Sequence, residues 1–409
     1  MADNFQDMKA RLRDFLTMHD VRRLGVAVSG GSDSLALLGM LADLRAEYPM
    51  DIVVVTVDHG LRSEAKDEAK FVGEICEARG LPHHILTWDR ANATGNLQAE
   101  ARKARYHLME DWAQEQGIEK IALGHTRDDL AETFLLRLKR GSGLAGLSAM
   151  APVRHGGCQW LRPFLTERRT ALQAYLETSE QSWVDDPSND DPRFDRVKMR
   201  QALPALADLG LDVETLARTA ENLRSSNDTV LTMLHEVAEN ITELSYGGLA
   251  FQRAALADCP EDVRRRLLTS AIRWLARAAY TPRHEAFQMT VEDVLSGKSR
   301  TLHGCVLSSD DTFLYVDREA AALARQDHPY DGIWTVTGAF ANLKPVGKRG
   351  LLQVSGWAAR GIRKEAARAL PAIWHEETLI AAPFIQETPE IQFEMAFSRS
   401  DFLKFLLSN

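Results

Sequence analysis

The sequence is poor in several features, each of which would place it in a class. No apolar run approaches the ~20 residues of a membrane-spanning helix; the longest strand-like run is Ile52–Val57. The four cysteines, Cys76, Cys158, Cys259 and Cys305, lie far apart without a CxxC pair. That spacing argues against a zinc ribbon, a cysteine-held iron–sulfur cluster and a disulfide framework. The opening stretch, MADNFQDMKARLRDF, is charged and has no apolar segment, so no secretory signal is expected. A reduced, cytoplasmic setting without a membrane partner is the expectation. Neither GxxxxGK[ST] nor GxGxxG occurs where a phosphate-binding loop is expected, which disfavours a lysine-bearing P-loop and a nicotinamide dinucleotide. No internal repeat or low-complexity tract is present.

Positive charge is also in deficit, with 49 Lys and Arg against 58 Asp and Glu and a formal net charge of −9. As a total, this favours solubility over nucleic-acid binding. Its distribution is uneven. Residues 343–374 carry seven basic side chains against Glu365 alone, and residues 251–285 carry seven against four. Such patches neutralise phosphates even on an acidic protein. A solvated basic face is an equally good reading of charge alone.

What is present is an ordinary globular composition, 45% hydrophobic and 26% charged over 409 residues, enough for two or three domains. In the first half, strand-like runs (24–28, 51–57, 83–87, 120–123) alternate with helical stretches (35–48, 63–79, 97–116 and a helix ending near Arg140). This alternation predicts βαβ units: an α/β, Rossmann-like parallel sheet with helices on both faces. A Gly-rich segment at 141–147 is a candidate for closure over substrate. Residues 159–164 read as a short strand and 166–181 as a helix. The span 213–279 reads as almost purely helical, 300–316 as a β-hairpin and 357–370 as a helix. The expected domains are a catalytic domain over 1–215, a mainly helical one over 216–326 and a small mixed α/β one over 327–409.

The phosphate-binding candidate is Ser29-Gly30-Gly31-Ser32-Asp33-Ser34, set between a buried strand and a helix. Glycines let the backbone approach a ligand, and a helix N-terminus offers free N–H groups to an anion. Asp33 suits Mg²⁺ carried by phosphates, or simple helix capping. Asp58 follows the second strand in DHGLR, at the carboxyl edge where such sheets bind ligands. Gly124-His125-Thr126-Arg127-Asp128-Asp129 opens a helix with Asp129 and Glu132 on one face. Two acids there suit either the helix dipole or an ammonium group. Arg105 is a candidate for stabilising charge on a transferring phosphoryl group, and His125 for donating to a phosphate or carrying a proton. Arg102 reads as a solvated arginine. Arg140, and the segment holding Arg193 and Arg196 after Asp186-Pro187-Ser188-Asn189, suit RNA contact or an interdomain strap.

The hexapeptide resembles the SGGxDS loop of the N-type ATP pyrophosphatases. Over residues 20–200, the ordered set SGGSDS, DHGLR, ARKARY, GHTRDDLAET, RGSGLAGL, RPFL and DDPSNDDPRFDR is similar to the tRNA(Ile)-lysidine synthetase family. The chain departs from that family's usual R-N-R-[IV]-R, reading Arg196-Val197-Lys198-Met199-Arg200. The contacts of the missing Asn and Arg are not carried over to Val197 and Lys198. The resemblance implies that ATP activates C2 of the wobble cytidine of a tRNA(Ile) with a CAU anticodon as an adenylate. L-lysine then attacks C2 through its ε-amino group. It further implies ATP and Mg²⁺ at residues 29–34, lysine at Asp129 and Glu132, and adenylate or AMP at Arg105 and His125. Arg140, Arg193, Arg196, Arg200, Arg265 and Arg266 would hold the tRNA, and a homodimer is compatible with this reading. Two rivals are another ATP pyrophosphatase acting on tRNA, such as a thiolase, and a non-catalytic RNA- or nucleotide-binding protein. Paired cysteines, which the iron–sulfur thiolases of this fold need, are absent. All four acids a decayed site would lose are present.

Overall fold

The computed structural model describes residues 2–58, 60, 65–88, 97–185, 191–278, 280–330, 334–337, 343–385 and 392–407. His59, Leu61, Arg62 and the stretch 186–190, part of the motifs above, lie outside the described residues. Contacts divide the chain into two units, Met1–Asn227 and Asp228–Asn409.

The first unit is built on a six-stranded sheet of β1 (Arg23–Ala27), β2 (Asp51–Asp58), β3 (His83–Thr87), β4 (Lys120–Leu123), β5 (Val153–His155) and β6 (Gln159–Leu161). The order is β3-β2-β1-β4-β6-β5. All pairs are parallel except β5 with β6. The chain lays β2 and β3 on one side of β1 and then crosses to β4 on the other, so a crevice opens at the carboxyl ends of β1 and β4, where the order switches. Leu24, Val26, Ile52 and Val54 point to one face, where α1 (Ala2–Met18), α2 (Ser32–Leu44), α3 (Ala65–Ala78) and later α7 pack. Ala27, Val53, Val55 and Ile121 point to the other, covered by α4 (Leu97–Glu115) through Met109 and Trp112. Burial on both faces explains why β1 and β2 are continuous apolar runs without alternation.

Beyond β4 come α5 (Arg127–Lys139), α6 (Leu144–Leu147), α7 (Arg169–Thr178), α8 (Asp195–Ala207) and the long α9 (Val213–Ile241). Leu130 and Phe134 of α5 pack on Val213, Leu216 and Ala217 of α9. The Gly-rich segment is held: it contains α6, and Arg137 donates to the carbonyls of Gly146 at 2.6 Å and Ala149 at 3.1 Å. The strand read over 159–164 is only three residues long, and it gains the antiparallel neighbour β5.

The second unit corrects two expectations. The span 213–279 is interrupted by a hairpin, β7 (Thr242–Ser245) and β8 (Gly248–Gln252), before α10 (Arg253–Asp258) and α11 (Glu261–Ala276). These strands join β9 (Arg300–Leu302), β10 (Cys305–Ser309) and β11 (Phe313–Arg318), which follow α12 (His284–Leu295), in a sheet ordered β7-β8-β11-β10-β9. The region 216–326 therefore packs helices on an antiparallel sheet instead of on each other. Second, the helix expected over 357–370 forms only as α15 (Lys364–Ala369), after α13 (Ala320–Leu323) and α14 (Gly347–Gln353). Gly361, at φ 72°, ends any continuation toward Trp357. The strands β12 (Trp334–Thr337), β13 (Leu343–Pro345), β14 (Pro371–His375), β15 (Thr378–Ala381) and β16 (Gln392–Met395) complete this region. The last helix, α16 (Arg399–Leu407), returns to the core of the five-stranded sheet through Phe402, Leu403 and Leu406.

Candidate active site

The loop between β1 and α2 closes on its own hydroxyls. Ser34 Oγ donates to the Gly31 carbonyl at 2.9 Å and accepts from the Ser29 N–H at 3.2 Å. Gly30 adopts φ 87°, a left-handed turn that side chains disfavour. Its carbonyl accepts from Val184 N at 2.9 Å. The first-turn N–H groups of α2 have no partners within the helix, and free N–H groups at a helix start are suited to an anion. From the other side the β4–α5 turn presses on this loop. A Cβ on Gly124 would stand 2.8 Å from the Asp33 carbonyl oxygen.

That turn begins α5 with a capping box. Thr126 N–H and Oγ1 donate to Asp129 Oδ2 at 2.8 and 2.9 Å, and the Asp129 N–H donates back to Thr126 Oγ1. The remaining Asp129 oxygen accepts from Arg196 at 2.8 Å and Arg169 at 3.2 Å. Glu132, fully buried one turn on, accepts from Arg196 at 2.7 Å, Arg200 at 2.8 Å and Arg169 at 3.4 Å. Arg169 also donates to Asp33 at 2.9 Å, so one guanidinium touches all three carboxylates. Three acids and three arginines thus form a single network across α2, α5, α7 and α8. Neither bare charge nor an unpaired arginine is left in it.

Acidity follows this geometry. Burial pushes the Asp129 carboxyl up, but Arg196, Arg169 and the Thr126 N–H outweigh it and hold it below its ordinary value. For Asp33 the balance reverses: burial, with Asp129 and Asp128 nearby, raises it despite Arg169. Burial depresses His125, against the pull of Asp129, so its imidazole is neutral at pH 7. Its Nδ1 is buried and has no partner. Burial also depresses the Arg105 guanidinium.

The structure brings Ser29–Ser34, Asp33, Asp129 and Glu132 into this one crevice. Arg105 and His125 stand beside it, close enough for Arg105 to act on His125 electrostatically. Asp58 ends β2 buried, with one oxygen accepting from Gly60 N at 2.8 Å. Arg196 and Arg200, expected at RNA, turn inward to Glu132. Val197 between them is buried, which explains an apolar residue there. Arg140 is exposed at the end of α5. Arg193 is exposed and paired with Asp191 at 2.6 Å. Arg265 and Arg266 lie on α11 in the second unit, both paired with Asp262.

Sequence reading missed Arg168 and Arg169. Arg168 clasps Asp128 at 3.1 Å, and Asp128 also caps α7 by accepting from Arg169 N at 2.8 Å. A signal existed: two arginines open a helix, the end where the dipole disfavours cations. A broken local rule of that kind often marks a site.

Among the described residues no cluster of three or more His, Cys, Asp or Glu side chains would cage a metal ion. The donor set instead fits a Mg²⁺ that keeps waters and phosphate oxygens and takes one carboxylate, Asp33.

The sequence profile of the PP-loop domain matches residues 4–206. The tRNA(Ile)-lysidine synthase of Ruegeria pomeroyi is 36% identical to this chain over 99% of it and 98% of that protein. The enzyme of the same name from Methylobacterium nodulans is 41% identical, covering 67% of this chain and 80% of its own. That of Zymomonas mobilis is 47% identical over 45% of this chain and 56% of its own.

Proposed function

The chain belongs to the tRNA(Ile)-lysidine synthase family, and we infer from this that it is the ligase joining L-lysine to C2 of cytidine 34 in tRNA(Ile) with the anticodon CAU. ATP drives the reaction through an adenylated cytidine, giving lysidine, AMP and pyrophosphate. The observation that carries this reading is the facing pair: a phosphate-seating loop, 29–34, against a buried carboxylate pair, Asp129 and Glu132, bridged by Arg169.

The loop N–H groups and hydroxyls take the pyrophosphate end of ATP. Asp33 would hold a Mg²⁺ carried by those phosphates, which would offset their charge. Arg169 then has phosphate oxygens within reach and exchanges its carboxylates for them, since a guanidinium fits both anions. This exchange frees the Arg169 side of Asp129 and Glu132 for the lysine ammonium, while Arg196 and Arg200 remain on them. Lysine at pH 7 is protonated and a poor nucleophile, so a base is required. Glu132 fits: it is fully buried on α5 one turn after Asp129, on the face that would meet the ammonium. Neutral His125 offers a hydrogen bond, not a charge, to the reacting cytosine or the departing AMP. We assign the regions 216–326 and 327–409, with their basic patches, to holding the tRNA body. The setting is the cytoplasm, where tRNA and ATP meet.

The test is incorporation of radiolabelled L-lysine into tRNA(Ile) with a CAU anticodon, with and without ATP–Mg²⁺, with methionine tRNA as control. ATP-dependent labelling of the isoleucine tRNA alone is expected. Pyrophosphate release with another acceptor, and no labelling, would keep the fold and discard lysidine synthesis.

A further inference from the structure

Two groups of arginines in the first unit contrast. Arg127, Arg168, Arg169, Arg196 and Arg200 each meet a carboxylate. Arg102, Arg105, Arg154 and Arg162 meet none among the described residues, yet they crowd around one ring, Tyr106. Arg102 stacks 5.4 Å from its centroid and Arg154 5.0 Å from it. Arg102 also donates to the phenol oxygen at 3.5 Å, and Arg162 acts on it electrostatically. Arg162 is 5% exposed, and its Nε is buried without a partner. Its Nη1 is held by the Ala151 carbonyl at 2.7 Å, which fixes the guanidinium without neutralising it. Trp160 braces the ring edge-on at 4.7 Å, and its own Nε1 donates to Glu110 at 3.2 Å. Arg102 and Arg154 are exposed and Arg105 is half-buried, but Arg162 is buried, and an unpaired charge held that deep is costly in the empty protein. Such a cluster is stabilised when an anion enters. Burial raises the Tyr106 phenol, but the four arginines outweigh it and pull it below its ordinary value, which reports the positive potential at that oxygen.

The bay also adjoins the reacting centre. Arg162 follows β6 at the carboxyl edge of the sheet, and both it and Arg105 act electrostatically on His125. ATP phosphates already have a seat at 29–34. A second polyanion is the other substrate, RNA. We propose that Arg102, Arg154 and Arg162, organised by Tyr106, seat phosphodiester groups flanking the target cytidine and so present its base to His125 and the carboxylate pair. Tyr106 is a positioning residue: it holds the guanidinium planes of Arg102 and Arg154 by stacking, and its phenol accepts from Arg102. This inference rests on the reading of RNA as substrate.

The test is direct binding of a CAU anticodon stem-loop at several salt concentrations, alongside KM values for ATP and lysine. Arg154 is exposed, so Arg154→Ala leaves the core intact. It is expected to weaken RNA binding by roughly tenfold and to lower the salt slope by about 0.7 for each single-strand phosphate it ceases to neutralise. The ATP KM should stay unchanged, and Arg154→Lys should recover part of the affinity. Tyr106→Phe, which keeps the ring, should cost less than Arg154→Ala. Unchanged RNA affinity and salt slope would overturn the proposal, as would an ATP KM that rises while RNA binding holds. Binding is read without lysine transfer, so failure of the wild-type chain to make lysidine would count against the proposed function and leave this result separate.

Discussion

Arg169 reaches Asp33 at 2.9 Å across 136 positions of sequence, and through the same guanidinium it touches Asp129 and Glu132. One side chain at the start of α7 therefore ties the phosphate loop to the carboxylate helix. Before substrate arrives, it stands where phosphate charge and lysine charge would later divide the network between them.

Replacing Arg169 by Ala strands Asp33 and loosens the pair on α5. Arg196 and Arg200 still hold Glu132, so the loss should fall short of a fully broken buried pair. About 1–3 kcal/mol is expected, read from the urea midpoint. Pyrophosphate release should fall on the order of 100-fold. An unmoved midpoint would refute the bridging role.

Asp33→Asn preserves shape and removes the charge that meets the phosphate-borne cation. ATP-dependent pyrophosphate release should vanish while tRNA affinity persists. Parallel loss of tRNA affinity would show that the loop does more than hold phosphates.

Asp129→Asn and Glu132→Gln should raise the lysine KM more than the ATP KM. Glu132→Gln should show the larger fall in kcat if Glu132 takes the ammonium proton. Steady-state kinetics with each substrate varied in turn decides this. An unchanged lysine dependence removes the pocket assignment.

The phosphate loop and the βαβ order were readable because both are local: a strand pattern, two glycines and a helix start. The arginine network was not, because its partners sit 37 to 136 residues apart and only the sheet brings them together. The hairpin of β7 and β8 was overlooked inside a helical stretch, although Tyr246-Gly247 carried its signal. Both residues have positive φ, 50° and 82°, as a tight hairpin turn demands. The segment after 186–189 suggests RNA contact for Arg196, and the family resemblance implies it for Arg200, yet both side chains meet Glu132. Burial of Val197 between them turns that face of α8 inward instead.

His125 supplies a pH dependence with a definite sign. Burial lowers its folded-state value below the ordinary 6.5, with Asp129 opposing and Arg162, Arg196 and Arg105 assisting. Below pH 6.5 the unfolded chain therefore binds a proton that the folded chain refuses. The contribution is complete above that pH and is lost as pH falls. Between pH 6.5 and 5 the loss is up to about 2 kcal/mol for one histidine. His19 and His83, also lowered by burial, add to the wild-type slope. His125→Asn should flatten the fall in unfolding free energy over that window without abolishing it. An identical slope in the variant would mean that His125 is protonated in the folded state.

Gly124→Ala tests how tightly the two loops are pressed together. The added Cβ would stand 2.8 Å from the Asp33 carbonyl oxygen and 3.0 Å from the Ser34 Cα, both backbone atoms that cannot rotate away. The β4–α5 turn or the first turn of α2 must then move. Movement of α2 misaligns the N–H groups meant for phosphate, whereas movement of the turn shifts His125 and the Thr126 cap. Overpacking of this kind costs about 1–3 kcal/mol. The ATP KM should rise by at least tenfold if α2 yields. If the turn yields, the lysine KM should rise and the ATP KM should hold. Wild-type behaviour in both, with an unchanged urea midpoint, would show that the contact between Gly124 and Asp33 is looser than this geometry.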